Sequence, residues 1–162
     1  LDDKKITCFT VDEIAGDNLN SVVFRSNIEI NGQQLPTIVI LDSSIYGMVR
    51  VLVAPRVLND ANEAGLLKEL NRLNKGFKSF KYYFDDNGSL VLDCCVLLPG
   101  SEADGDLIYT MFDVIIRHLS SEYKKLMQLI WQFLKALKMK STKKRRLTPA
   151  FFTVLNKCTN TD

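Results

Sequence analysis

The dipeptide Asn31-Gly32 is the feature that most restricts what this chain can fold into. Asn-Gly between strand-like runs is the strongest short-range hairpin signal, because both central residues of a type I′ turn need positive φ. Before it, Phe24, Ile28 and Ile30 alternate with Arg25, Asn27 and Glu29, the period of a half-buried strand. After it, Leu35 to Leu41 is a nearly continuous β-branched run, which fits a strand covered on both faces or an internal one. Pro36 belongs near the start of that strand, where a missing ladder donor does least harm. Asp42-Ser43-Ser44 supplies the next turn and Tyr46 to Ala54 a further strand, so the segment predicts a three-stranded antiparallel meander. Upstream, Ile6 to Ile14 is weaker and reads as a short strand or a helix end before the turn at Gly16-Asp17.

Pro55 ends that sheet segment. Asp60 and Glu63 have capping-box spacing. Leu66, Leu67, Leu70, Leu73 and Phe77 then recur at helical spacing, which predicts a helix over 62–75 with its leucine stripe on the sheet and Gly76 at its stop. A hairpin follows. Phe80, Tyr82 and Phe84 alternate with Lys81 and Tyr83, Asp86-Asn87-Gly88 turns the chain, and Leu90, Leu92, Cys94, Val96 and Leu98 share one face of the returning strand. Residues 104–139 read as helix throughout. A straight helix of that length would extend about 54 Å against roughly 30 Å for a small domain, so a bend near Ser120-Ser121, or two consecutive helices, is expected.

These elements make the fold class α+β, an antiparallel sheet of meander and hairpin with helices packed on it. A chain of 162 residues can bury roughly 68–70% of its unfolded surface, so its core needs no disulfide and no metal. The net charge of +2 conceals a partition. Residues 135–162 hold eight Lys and Arg and one acid, +7, while residues 1–134 carry thirteen Lys and Arg against eighteen Asp and Glu, −5. That predicts a single domain over 1–139 and a basic, flexible tail over 140–162.

Chemical equipment is sparse. His118 is the only histidine, which excludes multi-histidine metal sites and makes a triad unlikely to assemble; it reads as an ordinary helix residue. Cys8, Cys94, Cys95 and Cys158 show no CxxC spacing, and Asp93 beside Cys94 discourages a thiolate, so the thiols read as reduced. Asp85-Asp86 and Glu102, Asp104 and Asp106 read as turn and helix-start residues, because the position closing a Ca²⁺ loop from Asp104 is Ile115. No phosphate-cradling or nucleophile-elbow motif appears, and no cofactor is expected. With no signal peptide and no apolar run of about 20 residues, a cytoplasmic setting is expected. The chain begins Leu1-Asp2-Asp3-Lys4-Lys5 without methionine, and a fragment or a processed form, with upstream residues missing, is expected.

The stretch Leu70-Asn71-Arg72-Leu73-Asn74, then Phe77, Phe80-Lys81-Tyr82-Tyr83-Phe84, Asp85-Asp86-Asn87-Gly88 and Leu90-Val91-Leu92-Asp93, resembles the YbjN family of bacterial sensory-transduction regulators. The resemblance covers roughly residues 1–134 and implies a type III secretion chaperone-like fold, a protein partner and a homodimer, with no catalytic residues to carry over. Such domains begin with an amphipathic helix, of which Leu1 to Lys5 would be the last turn. Asn71 and Asn74 share a helix face and are candidates for recognition or for bonding local backbone. The other candidates are Trp131, on an apolar face with Tyr123, Leu126, Met127, Ile130, Phe133, Leu134 and Leu137, and the cations Lys143, Lys144, Arg145 and Arg146. A non-enzymatic protein-interaction domain is the leading expectation. The alternative is association with an anionic membrane or nucleic acid through the last helix and basic tail.

Overall fold

The computed structural model describes residues 8–14, 16–98 and 104–155, with side chains described as far as residue 131. Six strands and two helices are present: β1 (Thr10–Glu13), β2 (Val22–Ile30), β3 (Gln33–Leu41), β4 (Tyr46–Ala54), α1 (Glu63–Asn74), β5 (Phe80–Phe84), β6 (Leu90–Leu97) and α2 (Gly105–Leu155). The strands form one antiparallel sheet in the order β1-β2-β3-β4-β6-β5. The α+β class therefore holds, with one change. The weak N-terminal segment supplies β1, so the meander has four strands rather than three.

Asn31 (φ 50°) and Gly32 (φ 77°) both adopt positive φ, as a type I′ turn requires. That turn sets the β2–β3 register, Ile30 opposite Gln33 through Val22 opposite Leu41. Pairing of β3 with β4 begins at Thr37, one residue after Pro36, so the proline removes no bond from that ladder. Across the sheet, Phe24, Val39, Val49, Cys94 and Phe80 form one row, and Ser26, Thr37, Val51, Leu92 and Tyr82 the next. Both rows lie on the face that the helices cover. Buried Leu66, Leu70 and Leu73 of α1 and Ile115, Leu119, Leu126 and Ile130 of α2 join these side chains in one apolar core. Each such leucine or isoleucine contributes roughly 1.5–3 kcal/mol on burial.

The start of α1 departs from the expected capping box. Its N-cap is Asn62, not Asp60, and the Asn62 side chain makes no capping bond. Instead it is fully buried, accepting from the Asn59 N–H at 2.8 Å and donating to the Val57 carbonyl at 2.7 Å. It thus stitches the loop leading out of β4 while the helix leaves from the same residue. Leu67, expected in the leucine stripe, points outward and is 46% exposed. Its spacing matches the stripe, but three leucines already fill the contact.

α2 also differs from expectation. It runs through Ser120 and Ser121 without interruption, and its helical backbone continues to Leu155, past the expected boundary at 139. Ser121 spends its hydroxyl on the His118 carbonyl at 2.8 Å, a bond internal to the helix that absorbs a residue expected to break it. Contacts hold α2 toward both edges of the sheet. On one side Phe112 meets Phe9 edge-on with centroids 5.9 Å apart, and the Asn31 amide approaches the Ser120 carbonyl at 3.4 Å. On the other, His118 packs among Phe77, Phe80 and Tyr82.

Replacing Asn62 by alanine should cost about 1–3 kcal/mol, because a buried carbonyl and N–H lose their partner. Asn59→Ala, whose side chain bonds the exposed Ala61 N–H, should cost less than about 1 kcal/mol. Urea denaturation of both variants checks the ranking.

Candidate interaction surface

Among the described residues, the second face of the sheet carries no helix. Register places Arg25, Ile38, Arg50, Asp93 and Lys81 in one row on it. Val23, Ile40, Met48 and Cys95 form a second row, and Tyr46 pairs with Leu97 at the end of β4 and β6. Ile38, Ile40, Met48 and Leu52 are only half-buried there, and Tyr46 and Leu97 are 53% and 58% exposed. Of the two readings of β3, covered on both faces or internal, the second holds: it lies between β2 and β4.

Charges on this face are neutralised within it. The Arg50 guanidinium donates through Nε and Nη2 to the two oxygens of Asp93, both at 2.8 Å, and the Tyr83 hydroxyl donates to Asp93 at 2.9 Å. The Asp93 bond raises the Arg50 pKa further, while burial, then the hydrogen bond to Asp93, pushes Tyr83 up. Arg50 also lies 6.0 Å from the Tyr83 ring centroid, within cation–π range. At the β1 end Arg25 donates to Asp12 at 2.6 Å. Arg25–Asp12 is well exposed and adds at most about 1 kcal/mol, whereas Arg50–Asp93 is half-buried and bidentate. Their larger effect is to pair the charges nearest the apolar side chains of this face.

The β5 edge of the sheet, by contrast, is occupied at Tyr82, while β1 forms a short, exposed edge. Asn74 accepts from the Tyr82 N–H at 2.8 Å and donates to the Tyr82 carbonyl at 2.9 Å, occupying the outer side of β5. Lys81 reaches back to the carbonyls of Asn74 and Phe77. On the opposite side β1 is only four residues long and carries Asp12 and Glu13, and α2 contacts β2 beyond it.

Of the residues singled out in the sequence, Asn74 bonds local backbone. Asn71 is exposed and lines a shallow groove between the helices with Lys68, Glu69, Arg72 and Leu129. Trp131 stands off the apolar face to which it was assigned and is 59% exposed, because its neighbour Ile130 takes the core position. Lys143, Lys144, Arg145 and Arg146 fall on the helical backbone of α2, and their side chains lie outside the described residues. Cys94 is buried with its thiol pushed up to about 11 by desolvation, whereas Cys95 is exposed on the helix-free face. Asp85 and Asp104 spend oxygens on nearby backbone N–H groups, at Asn87 and Ser89 and at Asp106 and Leu107. The Arg50–Asp93–Tyr83 group escaped sequence reading. Its signal was faint: an arginine in β4 and an aspartate in β6, each interrupting an apolar run.

His118 is the one buried titratable group of the helical layer with a specific partner. Its Nε2 shares a 2.8 Å hydrogen bond with the Tyr82 hydroxyl. Burial holds His118 below its ordinary 6.5, against a smaller upward pull from Glu122 one turn along. No family model matches the chain, and no curated protein matches it.

Two outcomes are expected. Asn74→Ala should cost about 1–3 kcal/mol and speed hydrogen exchange at the Tyr82 amide, while Asn71→Ala leaves both unchanged. For His118, neither folded nor unfolded chain is protonated well above pH 6.5, and the group adds no slope there. As pH falls through 6.5 the unfolded chain takes up a proton that the folded chain resists, so stability declines. Denaturation midpoints measured down to about pH 5.5 should show this decline, and His118→Gln should flatten it.

Proposed function

We propose that this chain is a non-enzymatic protein-interaction domain that binds through the helix-free face of its sheet. The observation that carries the reading is the surface of Tyr46, Leu97, Met48, Ile38 and Ile40, apolar, half or more exposed in places, with its nearest charges paired to one another. Contiguous exposed apolar surface rimmed by polar groups is the usual mark of a protein contact. Asn74 at the β5 edge, and the shortness and acidity of β1, count against strand addition as the mode and favour packing against the face.

The reading accords with the resemblance to YbjN-type regulators and type III secretion chaperones, in which the domain holds another protein, works in the cytoplasm and self-associates. A second copy of the chain and a separate client are both partners of suitable chemistry for an uncharged apolar face.

A benzophenone amino acid placed at Leu97, with Lys68 on α1 as the control position, tests the face in cells. Irradiation should give a discrete adduct from Leu97 and none from Lys68, and the adduct's mass separates a second copy from a different protein. Adducts from Lys68 alone, or none from either position, would overturn the assignment.

A further inference from the structure

Between Tyr123 and Leu155 the chain holds nine Lys and Arg and no Asp or Glu. All of it is α2, about 50 Å of helix. Within that length Lys124, Trp131, Lys138 and Arg145 recur at intervals of seven residues. Sevenfold spacing on a 3.6-residue helix drifts by only about 20° per step, so the four positions share one face over roughly 32 Å. Where side chains are described, the face is outward. Ile115, Leu119, Leu126 and Ile130 enter the core, whereas Lys124 and Trp131 are exposed. Lys124 takes part in no ion pair among the described residues, unlike Lys125, which is held by Glu122 at 2.8 Å.

We propose that this face of α2 lies on an anionic lipid bilayer, with Trp131 at the headgroup level beside Lys124 and the cation-rich second half of the helix drawn to acidic headgroups. The binding surface is separate from the helix-free face of the sheet. Other cations, Lys125, Lys140, Lys143 and Lys144, fall on different sides of the helix, so it is the exposed Trp131 that favours a lipid surface over nucleic acid. Tryptophan favours the membrane interface, where its ring is half apolar and half wet. Among the described residues no helix is long and apolar enough to cross a membrane, so the contact is peripheral.

Trp131 is the sole tryptophan and reports on its own position in the unmodified chain. The full chain should sediment with vesicles of phosphatidylcholine and phosphatidylserine but not with phosphatidylcholine alone, and the Trp131 emission should shift to the blue on binding. Raised salt should release it. K124E/K138E should weaken binding by about tenfold or more, whereas K75E/K78E, the same charge change on α1 and the loop after it, should weaken it far less. Absence of binding to the acidic vesicles, binding without change in Trp131 emission, or equal loss in the two variants would each overturn the proposal. So would release from the vesicles by duplex DNA at matched phosphate concentration, an outcome that assigns the stripe to nucleic acid instead.

Discussion

Antiparallel pairing allows only two side-chain settings for each strand, and a slip of one residue exchanges them. The type I′ turn at Asn31-Gly32 removes that freedom for β2 and β3, and through the ladders for the whole sheet. Once Ile30 faces Gln33, Phe24, Val39, Val49, Cys94 and Phe80 must share a face. The leucines of α1 and the isoleucines of α2 then have one place to go. The same setting brings Arg50 opposite Asp93 on the other side. Core and candidate surface are therefore products of a single choice of register.

What the sequence disclosed follows this logic. Elements announced by periodicity and turn chemistry were legible: the Asn31-Gly32 hairpin, the helix ending near Asn74, the second hairpin and the length of the last helix. Features that depend on which segments meet were not. Nothing local distinguishes Asn62 from Asp60 as the residue that leads α1, because the deciding bonds run to Val57 and Asn59 within a loop whose path is tertiary. Leu67 fits the helical period as well as Leu66 does, and only contact with the sheet separates them. The helix-free face was hidden for a related reason. A strand apolar on both sides looks the same whether one layer or two cover it. Asn74 lay between: its closeness to a helix end favoured a backbone partner, but not that the partner would be an outer strand.

Charge and shape are distributed separately. The sheet's helix-free side is apolar and internally neutral, the turns and β1 hold much of the acidity, and the second half of α2 is wholly basic. His118 sits where α1, β5 and α2 converge, so protonation there would act on the contact that joins helix layer to sheet.

The bidentate grip of Asn74 on Tyr82 has a consequence for how copies of this protein can assemble. Pairing edge to edge leaves a new edge exposed after every addition and so grows without limit. Packing face to face uses up the surface after one partner. With β5 occupied at Tyr82 and β1 only four residues long and acidic, growth edge to edge is discouraged at both ends of the sheet, which favours assemblies that close over filaments.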